Sequence, residues 1–124
     1  MNRNDLKQYI SDYYGVAPDT PWAQYPTYEV FRHCGNRKWF AVIMDIDKSK
    51  LDLTQKGTID VVNFKCDSLL IGSLRKEKGI FPAYHMSKNH WVTVALDGSA
   101  NDETIKMLLD MSFEMTAPKK KVVK

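Results

Sequence analysis

Apolar side chains at Leu6, Tyr9, Ile10 and Tyr13 recur at the i, i+3, i+4, i+7 spacing of one helical stripe, which predicts a first helix over Asn4 to Tyr14. Asn4 or Asp5 can cap its start, and Gly15 supplies the stop. Three prolines between Ala17 and Pro26 then impose an extended connection. Trp22 and Tyr25 lie within it, so this loop is expected to pack on the body.

The pattern then changes to the alternation of strands. Thr27 to Cys34 reads as a strand, Gly35-Asn36 as a tight turn, and Lys38 to Ile46 as the return strand. In the return strand, alternation groups Phe40, Val42, Met44 and Ile46 on one face and Trp39, Ala41 and Ile43 on the other. Asp47 to Gly57 is a polar, lysine-bearing loop expected to project. Thr58 to Cys66 is a third strand, with Val62, Phe64 and Cys66 on one side and Ile59, Val61, Asn63 and Lys65 on the other. Asp67 caps a second helix to about Lys78, with Leu70, Ile71 and Leu74 inward and Gly79 at its end. Ile80 to Met86 is a short strand interrupted by Pro82, which suits an edge. Ser87 to Asn89 turns the chain into a strand from His90 to Leu96. Asn101 caps a last helix to about Met115, with the stripe Ile105, Leu108, Leu109, Ser112 and Met115.

The order is α-β-β-β-α-β-β-α. Strands joined by short turns imply an antiparallel five-stranded sheet with the helices mainly on one face, an α+β fold. With 124 residues the chain is one ordinary domain, read as 1–117 followed by a basic tail at 118–124. A chain of this length buries roughly 65% of its unfolded surface, enough for a core without staples.

Charge changes the picture only once it is located. The net charge is +3, but Lys119, Lys120, Lys121 and Lys124 supply four of the eighteen basic residues. The remaining fourteen against fifteen acidic residues leave a body of net −1, without a broad cationic footprint. The tail reads as a solvated end. No apolar run approaches the ~20 residues that span a bilayer. Arg3, Asp5, Lys7 and Asp12 interrupt any secretory signal, so the expected compartment is the cytoplasm. Cys34 and Cys66 are expected to be small buried hydrophobes.

Catalytic patterns are missing: no Gly-rich phosphate loop, no Gly-x-Ser-x-Gly elbow and no His-Glu-x-x-His. His33, His85 and His90 match no zinc spacing, so neither metal nor cofactor is expected. The chain is expected not to be an enzyme, although Tyr84, His85 and Lys88 share one segment and would matter if they lined a pocket. A stronger candidate is a sheet face. Trp91, Thr93 and Ala95, Trp39 with Ala41 and Ile43, and Asn63 with Lys65 form an aromatic, cationic and amide-bearing surface if all three sets face one way. Such a surface suits stacking on bases or binding a peptide. The alternative is that Trp39 and Trp91 are core residues covered by the first loop. The turn Ser87 to His90, with Tyr84 and His85 nearby, is a second candidate. The loop bearing Lys48, Lys50 and Lys56 is a third.

The segments Lys65-Cys66-Asp67, Pro82-Ala83-Tyr84-His85-Met86-Ser87-Lys88-Asn89-His90-Trp91 and Leu96-Asp97-Gly98 resemble the signature of the MmcQ/YjbR family. Upstream, Thr20-Pro21-Trp22, Val30-Phe31-Arg32 and Lys38-Trp39-Phe40-Ala41 fit in the same order, as do Leu108-Leu109 and Ser112-Phe113, so the likeness runs from about Asp5 to Ala117. The resemblance implies a type III secretion chaperone-like architecture. It also implies kinship with a "double wing" DNA-binding module, and hence a non-enzymatic DNA-binding protein. Arg37, Lys48, Lys50, Lys56, Lys65 and Lys88 would then contact phosphate. The competing expectation is a protein- or peptide-binding adaptor using the tryptophan-bearing face.

Overall fold

The computed structural model describes residues 1–119, so Lys120, Lys121 and Lys124 of the basic tail lie outside the described residues. The elements are α1 (Arg3–Tyr14), β1 (Glu29–Arg32), β2 (Trp39–Asp47), β3 (Thr58–Lys65), α2 (Ser68–Leu74), β4 (Ile80–Pro82), β5 (Trp91–Ala95) and α3 (Asp102–Thr116). One short 3-10 turn, Lys48–Leu51, follows β2. The strands form a single antiparallel sheet in the order β1-β2-β3-β5-β4, the α+β architecture expected. Among the described residues no helix is long and apolar enough to cross a membrane.

The two faces of the sheet bury different things. One carries Phe31, Ile43, Val62, Phe64, Val92 and Val94, packed against Leu6 and Ile10 of α1, Ile71 and Leu74 of α2, and Ile105, Leu108 and Leu109 of α3. The opposite face carries Val30, Val42, Met44, Ile46, Ile59, Val61 and Ala95, and among the described residues no α-helix contributes to its cluster. Loops close that face instead, through Trp22, Tyr28, Leu51, Leu53, Tyr84 and Met86.

Simple alternation fails in β2, for a local reason. Phe31 pairs with Ala41 and Arg32 with Trp39, so Phe40 has no partner of its own on β1. This one-residue bulge turns both Phe40 and Ala41 toward the helices. Trp39 therefore joins Val42 and Met44 on the far face and parts from Ala41 and Ile43, against the expected grouping.

Several boundaries also differ. Asn2, not Asn4 or Asp5, caps α1: its side chain accepts from the Asp5 amide at 2.8 Å while the Asp5 carboxylate accepts from the Asn2 amide at 3.1 Å. The β1–β2 connection is a wide loop rather than a two-residue turn. His33 and Lys38 close it by a 3.0 Å backbone bond, and Arg37 takes the left-handed conformation. Helix α2 stops at Leu74, after which the amides of Lys76 and Glu77 bond three residues back and tighten the chain toward Gly79. Leu70, expected inward, is exposed. Gly79 has φ +83, and a Cβ there would lie 2.7 Å from the Ala100 amide nitrogen, so the position needs glycine. In α3 the last inward residue is Thr116, whose hydroxyl bonds to the Ser112 carbonyl at 2.7 Å, while Met115 is exposed. The Asp47–Gly57 loop folds back and buries Leu51. Cys66 is buried as expected, and burial raises its thiol pKa, whereas Cys34 is exposed.

Candidate functional site: an aromatic cleft on the sheet face away from the helices

The far face is incompletely closed, leaving a cleft of about 300 Å³. Its floor is Val42, Met44 and Asn63. One wall comes from the proline-bearing loop after α1. That loop is pinned to the edge of the sheet because Asp19 and Val30 exchange two backbone bonds of 2.9 and 3.0 Å. Arg32 reinforces the link through Asp19 at 3.0 Å and lies over the Trp39 ring at 5.3 Å. Two backbone turns then bring Trp22, Tyr25 and Tyr28 together. Trp22 meets Trp39 edge-on with ring centres 5.6 Å apart, and Tyr25 stacks on Tyr28 at 4.7 Å.

The other wall is Tyr84, His85 and Met86, and a polar link beneath it holds this loop in place. Asn63 is fully buried in the middle of β3. Its side-chain amide donates to the Tyr84 carbonyl at 2.8 Å. Its oxygen accepts from the Thr93 hydroxyl at 2.5 Å, and that hydroxyl accepts from the Tyr84 amide at 2.9 Å. A strand position that alternation marks as inward is thus polar because it replaces ladder bonds that the chain loses after Pro82. One amide hydrogen and one lone pair of Asn63 remain free of these bonds. His85 has φ +62, a left-handed conformation costing roughly 1 kcal/mol or more away from glycine, and it sits on the rim.

Among the described residues the lining holds no carboxylate, thiol or ammonium. Burial, and then the neighbouring Tyr84, raises the Tyr28 pKa above its usual value, so its phenol is protonated at neutral pH and can donate. The cleft therefore offers flat apolar surface edged by phenol, amide and imidazole groups. Its volume sits at the small end of ligand sites, enough for one side chain or ring.

Trp39, Asn63, Tyr84 and His85 of the sequence-derived face come together here, with Thr93 directly beneath. Trp91 is paired with Lys65 across β3 and β5 on the same face but does not line the cleft, and the exposed His90 contributes its carbonyl to the Cys66 amide. His33 is structural: its Nε2 lies 2.9 Å from both the Phe113 carbonyl and the Thr116 hydroxyl, tying β1 to the end of α3. No group of three or more His, Cys, Asp or Glu side chains able to hold a metal occurs among the described residues. The six expected phosphate contacts do not converge. Arg37 and Lys65 lie at the end of the sheet where β2 begins, and Lys48 and Lys56 at the opposite end. Arg37 stands 4.0 Å from Asp19. Lys50 and Lys88 line one small depression that shares Tyr84 with the cleft.

Sequence reasoning missed Trp22, Tyr25 and Tyr28 as site residues. The available signal was three large aromatics within seven residues of a loop too short to form its own core.

The YjbR family model matches residues 11–115. The Bacillus subtilis (strain 168) protein YyaQ, itself uncharacterised, is 37% identical over 116 residues, 94% of this chain and 98% of that protein. A crystal structure of a Pseudomonas syringae protein superposes with a TM-score of 0.93 at 44% identity, covering 94% of this chain and all of that one. A Deinococcus radiodurans protein gives 0.66 at 25% identity, over 92% of this chain and 77% of that one. The chain belongs to the YjbR family.

Proposed function

We propose that this protein is a non-enzymatic binding module that takes one large apolar side chain of a peptide or protein partner into the cleft between Trp22, Trp39 and Tyr84. The observation that carries this reading is the closure of the far face by loops instead of a helix, which leaves a built aromatic site of about 300 Å³. Its size suits a single ring or branched aliphatic group, and mutually perpendicular aromatic walls favour contact from several sides. Free thiols at Cys34 and Cys66 suit the reducing cytoplasm. The duplex-DNA reading has less support, because its cations are split between opposite ends of the sheet and interrupted by Asp19, Asp52 and Asp97.

The test is a titration of isotope-labelled protein with acetyl-phenylalanine amide and acetyl-leucine amide, followed by amide and indole N–H shifts. Shifts centred on the Trp22 and Trp39 indoles and the Asn63 side chain, lost in Trp39→Ala, are expected. Shifts confined to other surfaces, or none at millimolar ligand, defeat the reading. Duplex DNA titrated at two salt concentrations tests the alternative: salt-sensitive binding abolished by Lys48→Gln and Lys56→Gln would favour it.

A further inference from the structure

The cleft does not end at Tyr84. That residue also lines a second depression of about 170 Å³, walled by Phe81, Pro82 and Leu51 and edged by Lys50 and Lys88. Phe81 in turn borders a third depression of about 390 Å³ that carries Lys48 and Lys78. One track therefore leaves the aromatic cleft and passes four ammonium groups, against two carboxylates, Asp52 and Asp97. Asp97 already has a local role. Although partial burial opposes ionisation, the side chain and amide of Ser99 lead the interactions that lower its pKa.

Lys88 is held in place, its Nζ donating to the Ala83 carbonyl at 3.1 Å, which leaves two of its three donors for another group. Neither Lys50 nor Lys88 is ion-paired with a carboxylate among the described residues. This differs from the helix-facing side, where Arg3 and Lys7 are both paired with Glu29.

Building on the apolar anchor proposed above, we infer that the partner is an acidic peptide segment, with an aspartate or glutamate within two residues of the anchoring side chain received between Lys50 and Lys88. Extended chain advances about 3.4 Å per residue, so two residues span about 7 Å, on the scale of the single residue, Tyr84, that the two depressions share. The anchor supplies apolar burial, and the lysines supply charge-assisted bonds that choose among anchors.

Tryptophan fluorescence titrations with four blocked peptides test this: acetyl-Gly-Phe-Gly-Asp-Gly-amide, its Asn and Lys counterparts at the Asp position, and a version with Ala for Phe. The Asp peptide is expected to bind about five- to tenfold more tightly than the Asn peptide, and the Lys peptide more weakly than either. In the double variant Lys50→Gln, Lys88→Gln the Asp peptide should fall to the affinity of the Asn peptide, whose own binding is unchanged. Equal binding of the Asp and Asn peptides overturns the acidic preference while leaving the apolar anchor standing. Failure of every phenylalanine peptide to bind at millimolar concentration overturns both. A short oligothymidylate that binds more tightly than the Asp peptide, and loses that binding in the lysine variant and in Trp39→Ala, would overturn the peptide in favour of a single-stranded nucleic acid.

Discussion

The two faces of this sheet are built from similar strands yet finished by different means. On the helix-facing side, α1 and α3 together with α2 present apolar stripes, and Leu6, Phe31, Phe64, Leu108 and Leu109 are all sealed from water. On the other side the strands are as apolar in the centre, but loops cover them, two with rings and one with Leu51 and Leu53, and side chains on loops leave a gap. The helical face can be filled to crystal-like density because periodic elements interdigitate. The loop face cannot, and its remaining space is edged with hydrogen-bonding groups. Stability is thus concentrated on one side of the sheet, and the recognition proposed above would fall to the other.

Truncations should separate the sides most sharply. Phe64→Ala, in the centre of the helix-facing core, should cost about 3–5 kcal/mol of unfolding free energy in denaturant titrations. Trp39→Ala, half-buried at the cleft, should cost less than Phe64→Ala even though it removes a larger side chain. Equal losses would break the comparison, since the loop face would then be packed like a core.

Arg3 gives the next largest effect. It projects from the first turn of α1 to Glu29 at 3.3 Å and Asp60 at 3.4 Å, with Asp45 at 3.9 Å and a further bond to the Thr27 carbonyl. Arg3→Ala leaves Asp45 and Asp60 without the guanidinium and Glu29 with Lys7 alone, in partly desolvated surroundings, and a loss of about 2–3 kcal/mol is expected at neutral pH. A smaller loss in about 1 M salt, which screens charges, would identify their interaction as the cause. Asn63→Ala should follow, at about 1–3 kcal/mol, because it strips partners from the buried Thr93 hydroxyl and from the Tyr84 carbonyl. Unlike the other three, this variant should also release the Tyr84–Met86 wall, seen as faster hydrogen exchange at those amides with α3 unaffected.

The division between the faces explains what was legible in the sequence. The helix stripes and the β3 alternation are periodic signals: Leu108, Leu109, Val62 and Phe64 are buried where spacing puts them. The exchange of Met115 for Thr116 shows the limit of such signals, since a threonine that bonds back to Ser112 and meets His33 satisfies its hydroxyl inside. The cleft depends on features with no period. The bulge at Phe40, which moves Trp39 to the far face, leaves no mark in the hydrophobic pattern. The loop carrying Trp22, Tyr25 and Tyr28 is placed by the bridge from Asp19 to Val30 and the ion pair of Asp19 with Arg32, tertiary contacts invisible in local composition. Asn63 and Thr93 could be put on one face by parity, but not identified as the support of the Tyr84 wall.

The smallest predicted effect tests both faces with the same chemical group. Tyr14 packs against Phe113 on the helix side and donates its hydroxyl to Asp110, and Tyr28 stands at the cleft. Both phenol pKa values are raised, chiefly by burial, with the Asp110 bond and charge adding to the Tyr14 shift. A raised folded-state pKa means that the contribution is complete below the unfolded tyrosine value near about 10 and disappears as pH rises beyond it. Unfolding free energy should therefore fall in alkaline solution, and less steeply in Tyr14→Phe than in the parent. Phenolate absorbance should then distinguish the sides. A peptide seated in the cleft deepens the burial of Tyr28 and should delay its ionisation further, while that of Tyr14 is unchanged. If occupancy instead moved the Tyr14 titration, the two faces would be coupled through the sheet, and recognition could not be assigned to the loop-covered side alone.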